Sequence, residues 1–203
     1  MAAKALARLA ETYIEDGQYG DAMRVIQLAA IPADEAGLTR MAAFLNLLEA
    51  AIHGNRDNSR AVELAIGHAQ DHYANADNSL PFRMTRFLID ETLHKRIALA
   101  YSHLAEHDAS YAARAADVAA TAARSCPDSE PCTLLLAQVP LALNDYRSGN
   151  IDVANETTEA ILTALPEVSS RRLTARLGPL AAEAATHGST ATDLAHQLTM
   201  LSR

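Results

Sequence analysis

The chain has no tryptophan, and only 3 phenylalanines and 6 tyrosines among its 203 residues. Any core it builds must be aliphatic and small. Glycine (8) and proline (7) are scarce, which excludes collagen-like and low-complexity disordered chains. With 2 cysteines, Cys126 and Cys132, there is no secreted disulfide framework; the pair fits free thiols in a reducing cytosol, with a small loop disulfide or redox pair, or metal binding, as the alternatives. Lysine is limited to Lys4 and Lys95, and the formal net charge is −8. Gripping bare duplex nucleic acid takes clustered lysine and arginine, so no direct nucleic-acid contact is expected. No apolar run approaches the roughly 18 residues of a membrane span, and the stretch from Met1 to Glu11 lacks the apolar segment of a signal peptide. A cytoplasmic protein without membrane contact is expected.

What the chain does have is alanine, 43 residues of it. Alanine with few breakers favours helix everywhere. Apolar periodicity predicts about ten helices, near 3–16, 19–30, 34–53, 60–74, 81–107, 109–125, 131–147, 151–164, 169–187 and 190–202. Leu6, Leu9 and Tyr13 mark a buried stripe on the first, and Tyr19, Ala22, Ile26 and Ala29 one on the second. Gly17 and Gly149 suit helix ends, and Pro32 is expected to close the second helix. Ser59 and Asp108 are placed to cap the helices after them, and Ser169 or Ser170 to open the helix near 169–187. Pro140 falls inside a helix and should kink it. Connections of only a few residues imply antiparallel neighbours. The fold class expected is all-α: a right-handed superhelix of stacked antiparallel helical hairpins. It forms one domain over 1–203, with 168–203 as terminal capping helices.

Two segments share a pattern. The first reads Leu9-Ala10-x-x-Tyr13-x-x-x-Gly17-x-Tyr19-x-x-Ala22-x-x-x-Ile26-x-x-Ala29. The second runs through Leu141-Ala142 to Gly149-x-Ile151-x-x-Ala154-x-x-x-Thr158-x-x-Ile161. Glycine turns the chain, an apolar residue starts the next buried stripe, and a small alanine lets two helices approach. With Pro32, this resembles the tetratricopeptide repeat. The steps are longer here, about 44 residues against that family's ~34. The Ala/Arg-rich hairpins and the stretch Ser169-Ser-Arg-Arg-Leu-Thr-Ala-Arg-Leu177 resemble the C-terminal sensor halves of actinobacterial helix-turn-helix transcription regulators. Those carry an N-terminal DNA-binding domain, and no such domain is recognisable within 1–203. The resemblance implies a ligand-sensing module whose partner is a peptide, a protein segment or a small molecule, and it allows association of two copies.

The helix near 81–107 offers the most chemistry. Its core stripe is Ile89, Leu93, Ile97, Ala100 and Leu104, and beside it run Arg83, Phe87, Asp90, His94 and Tyr101. A polar-aromatic stripe on the first helix of a hairpin suits a concave groove: arginine clamps a carboxylate and the aromatics give apolar contact at low entropy cost. The competing reading is packing against neighbouring hairpins. Asn46 and Asn144, set among apolar residues, could hold an extended peptide backbone by donating and accepting at once, or lie on a solvated edge. Two pairs at i,i+4, His68/His72 and His103/His107, have zinc-compatible spacing. Both lack an evident third ligand and the glutamate of His-Glu-x-x-His, so no metal or cofactor is expected. The spacing Ala184, Gly188, Leu194 mimics a helix-turn-helix, yet the helix after it carries no arginine or lysine before Arg203. No phosphate loop or nucleophile elbow occurs. A binding module is expected rather than an enzyme. A plain protein–protein scaffold is the alternative, and an all-α enzyme a remote one.

Overall fold

The computed structural model describes residues 2–76, 90–127, 130–168 and 170–201. Within them lie ten α-helices and two short 3-10 turns. We number the helices α1 (Ala2–Glu15), α2 (Tyr19–Glu35), α3 (Thr39–Asn55), α4 (Ser59–Ala74), α5 (Asp90–Ala105), α6 (Ala112–Arg124), α7 (Pro131–Ser148), α8 (Ile151–Ala164), α9 (Arg171–Ala184) and α10 (Gly188–Leu201). The all-helical expectation holds for the described residues, none of whose helices is long and apolar enough to cross a membrane. The chain forms two compact units, residues 1–104 and 105–203.

In the first unit one turn recurs. At the end of α1, Gly17 donates to the Ile14 carbonyl and Gln18 to that of Tyr13. The same two bonds are made by Gly37 and Leu38 after α2, and by Asp57 and Asn58 after α3. This is the left-handed helix stop in which the residue after the C-cap takes positive φ: +72° at Gly17, +60° at Gly37 and +54° at Asp57. The spacing is 20 residues from each to the next. Asp57 is the single non-glycine with positive φ among the described residues, a conformation aspartate tolerates better than most. The second unit repeats the stop at Gly149 (φ +84°).

Several expected boundaries move. Pro32 does not end α2, which runs on to Glu35. Proline already has a helical φ, and its missing N–H forfeits only one bond near the helix end. The true stop is Gly37, so α3 starts at Thr39 rather than 34. Asn58, not Ser59, caps α4, accepting from the Ala61 N–H. Asp108 and Ser170 cap as expected. On α1 the buried stripe is Ala3, Ala7, Ala10 and Glu11, while Leu9 faces solvent. Small side chains there let α1 lie close to its neighbours. The stripe expected on α2 is buried at Ala22, Ile26 and Ala29.

In the first unit α2 packs on α1 and α3, and α4 on α3. α3 is buried almost all round, from Met41 and Phe44 to Ile52 and Gly54, so it is the central helix. α5 reaches α1, α3 and α4: Arg96 meets Glu11 and Phe44, and Tyr101 meets Glu63. The described part of its expected core stripe, Leu93, Ile97, Ala100 and Leu104, is buried.

In the second unit α7 plays the central part, packed by α6, α8 and α9, with α10 against α8 and α9. The core joins Leu135, Val139, Tyr146, Ile161, Leu173, Leu177 and Leu198. Pro140 sits inside α7 as expected. Lacking an N–H, it leaves the Leu136 carbonyl without a helical donor. Arg176 of α9 supplies one, Nη1 to Leu136 O at 3.5 Å.

Candidate functional site

The most developed polar site of the first unit starts from a sequence oddity. Glu11 lies on the alanine stripe of α1 and is buried, with its side chain 8% exposed. A buried carboxylate needs charge partners and donors. Arg8, one turn earlier, donates to its Oε2 at 2.7 Å. Arg96, arriving on α5, donates to Oε1. The Arg96 guanidinium also lies over the Phe44 ring of α3, 4.4 Å from its centroid, a cation–π contact. Three helices distant in sequence are thus joined through one arginine. Burial by itself pushes the Glu11 carboxyl up, but Arg96 and Arg8 together outweigh it and hold it below the ordinary carboxylate range.

Beside this cluster is a small recess between α1 and α3, lined by Lys4, Ala7, Arg8, Met41 and Phe44. Its volume of about 10 Å³ admits roughly one water or one methyl-sized tip. Lys4 and Arg8 form an exposed cationic rim, and Met41 and Phe44 a buried floor.

The residues expected to bind ligand are distributed differently. Arg83 and Phe87 lie outside the described residues, as does the side chain of Asp90, which opens α5. His94 is half-buried on α5. Tyr101 is 1% exposed and donates to Glu63 of α4 at 3.1 Å. It lies one helical turn from both Ile97 and Leu104, on the stripe that α5 buries. Asn144 is fully buried in the second unit, its Nδ2 donating to the Pro140 carbonyl at 2.7 Å. Asn46 is half-buried on α3, and its Nδ2 is given to its own helix at Ala42 O, 3.0 Å. Two residues beyond Phe44, it faces the opposite side of α3. There it shares a half-exposed stripe with Glu49 and His53. Burial pushes Glu49 up, partly offset by the charge of His68, and burial with Arg56 pushes His53 down. Among the described residues no three His, Cys, Asp or Glu side chains are grouped to hold a metal ion. Cys126 and Cys132 are free thiols.

The second unit has its own polar cluster around the C-terminal turn of α7. Tyr146 donates to Asn155 at 2.7 Å and stacks on His187, ring centroids 5.4 Å apart. Glu183 lies 3.3 Å from His187 and 3.4 Å from Arg147. Next to Tyr146, Asp145 is 5% exposed; its Oδ1 accepts from Asn150, while its Oδ2 is buried with no hydrogen-bond partner among the described residues. Burial raises its pKa against the Asn150 hydrogen bond, with Asp117 adding to the rise. A folded-state pKa above the unfolded one makes the ionised form a cost that grows as pH rises past the unfolded value and fades in acid. Asp145→Asn is therefore expected to stabilise the protein at neutral pH by on the order of 1 kcal/mol, and the gain should disappear in acid; urea unfolding at the two pH values measures it.

An open groove of about 460 Å³ runs between α9 and α10, lined by Gly178, Ala182, Ala185, Thr192, His196 and Thr199 among others. Its walls are small side chains without converging charge.

Comparison of the chain with models of protein families, with curated proteins and with solved structures returns no match.

Proposed function

We propose that the chain is a regulatory interaction module that holds a peptide, a protein segment or a small ligand against α1, α3 and α5, and that it is the sensing part of a transcription regulator. One observation carries this reading. The three helices meet one another through Arg96, Glu11 and Phe44 and carry, on that same assembly, a cationic rim over an apolar floor. The rim is the kind of mixed polar and apolar surface that grips an extended partner.

The recurring turn supports a repeat architecture. Stops 20 residues apart make a two-helix step of 40 residues, longer than the ~34 of the tetratricopeptide repeat and within the 40–47 range of longer helical repeats. We propose that the hairpins continue as a right-handed superhelix. A ligand laid across α1 and α3 biases the packing of the helices that it touches. In a regulator, that bias would be passed to an attached domain. No catalytic role is assigned. The scaffold reading, without ligand control, is favoured by the α9–α10 groove, whose small side chains suit the close approach of a helix.

Selection of short random peptides displayed on phage against the intact chain tests the proposal. Discrete families of binders are expected, with affinities typical of weak to moderate peptide recognition. Failure to recover any family, together with a protein partner that co-purifies stably, would favour the scaffold.

A further inference from the structure

We infer that the recess between α1 and α3 reads an acidic peptide segment, with Lys4 and Arg8 as its ligand cations and Met41 and Phe44 as the seat for one apolar tip. The inference rests on the module reading and names the chemistry of its partner.

The two arginines of the cluster have different duties. Arg96 is 17% exposed, its plane laid on Phe44 and its charge spent on buried Glu11. It positions the three helices. Arg8 is 58% exposed and gives Glu11 a single Nη1 contact. A guanidinium has five N–H donors, so donors remain to face solvent. Lys4 stands exposed one turn away on the same side of α1. Among the described residues that line the recess or pair with Glu11, the charged side chains are Lys4, Arg8 and Arg96, set against Glu11 itself. The patch is net positive on a chain of charge −8, so it is a local attractor for anions on a surface that otherwise repels them.

The placement also sets two like charges side by side. Lys4 and Arg8 stand four residues apart on α1, and like charges at i,i+4 destabilise a helix. An incoming carboxylate between them relieves that cost.

The geometry selects a peptide. A recess of about 10 Å³ cannot enclose a metabolite. Its ligand must lie across the rim and insert one tip. Single-stranded nucleic acid would need an open aromatic face for stacking; Phe44 is 4% exposed and one face is covered by Arg96. An extended segment with acidic residues next to a leucine, isoleucine or methionine satisfies both the rim and the floor.

The probe is the random peptide library itself, selected on the intact chain in low salt. Enriched sequences should be rich in Asp and Glu flanking one large aliphatic residue. Their affinity, read by fluorescence anisotropy, should fall about tenfold or more with Lys4→Glu and with Arg8→Gln, and should fall steeply with added salt. Arg24→Glu, the same kind of charge change on an exposed part of α2, should leave it unaltered, and circular dichroism should match wild type for all three variants. Binders without acidic enrichment, or indifferent to Lys4→Glu and Arg8→Gln in folded protein, overturn this inference and leave the module reading standing. A library that yields no binder counts against both.

Discussion

Glu11→Ala is expected to destabilise the first unit by about 3 kcal/mol. Alanine fits the site sterically, since Ala3, Ala7 and Ala10 already line that stripe, and it is the best helix former. The loss comes from Arg96, 17% exposed, which gives up its contact with a buried carboxylate, and breaking a buried pair from one side costs more than the pair was worth. The thermal midpoint should drop by roughly 10–20 °C. Adding Arg96→Met to Glu11→Ala should recover most of it: Met is flexible, makes favourable contacts with an aromatic ring such as Phe44, and removes the charge. The acid limb carries the same signature. Since Glu11 is held below its ordinary range, its contribution is complete above the unfolded-state pKa and is lost as pH falls through the lowered folded value. The wild-type protein should lose stability over that interval, and Glu11→Ala should be flatter there. Denaturant unfolding of the single and double variants measures the coupling. A single variant as stable as wild type would mean that Arg96 does not join the helices.

The same substitution, glycine to alanine, should have opposite effects at two helical positions of the first unit. A Cβ on Gly54, in α3, would lie 2.7 Å from the Ala100 carbonyl oxygen and 3.0 Å from His103 Cβ. A backbone oxygen in mid-helix cannot move aside, so α3 and α5 must part. Overpacking of this kind costs about 1–3 kcal/mol, and this should exceed the gain of nearly 1 kcal/mol from propensity. A Cβ on Gly67, in α4, meets nothing within 4 Å. There Gly67→Ala should stabilise the protein by about 0.5–1 kcal/mol. Two thermal melts against wild type decide the matter. If Gly54→Ala were also stabilising, α3 and α5 would not be in close contact.

Much of the fold could be read from local pattern. Alanine density, the stops at Gly17 and Gly149, and the caps at Asp108 and Ser170 are local chemistry, and all of them stand. Gly37 and Asp57 were harder to see. Pro32 looks like the stronger breaker than Gly37, and aspartate is a rare occupant of the positive-φ position. Tyr101 could have been assigned to the core from its register with Ile97 and Leu104. The cationic cluster could not. Arg96 and Glu11 are 85 residues apart, and periodicity along one helix says nothing about which face of another it meets. The one available signal was the acid itself, a glutamate in register with the alanines of α1.

The surface formed by α1, α3 and α5 is the core of the account. Its most direct test is amide hydrogen exchange on the intact chain, free and bound to a peptide selected on it. Added protection is expected in the first two turns of α1, around Met41 and Phe44 in α3, and around Arg96 in α5. Protection confined to α9 and α10 would contradict the account.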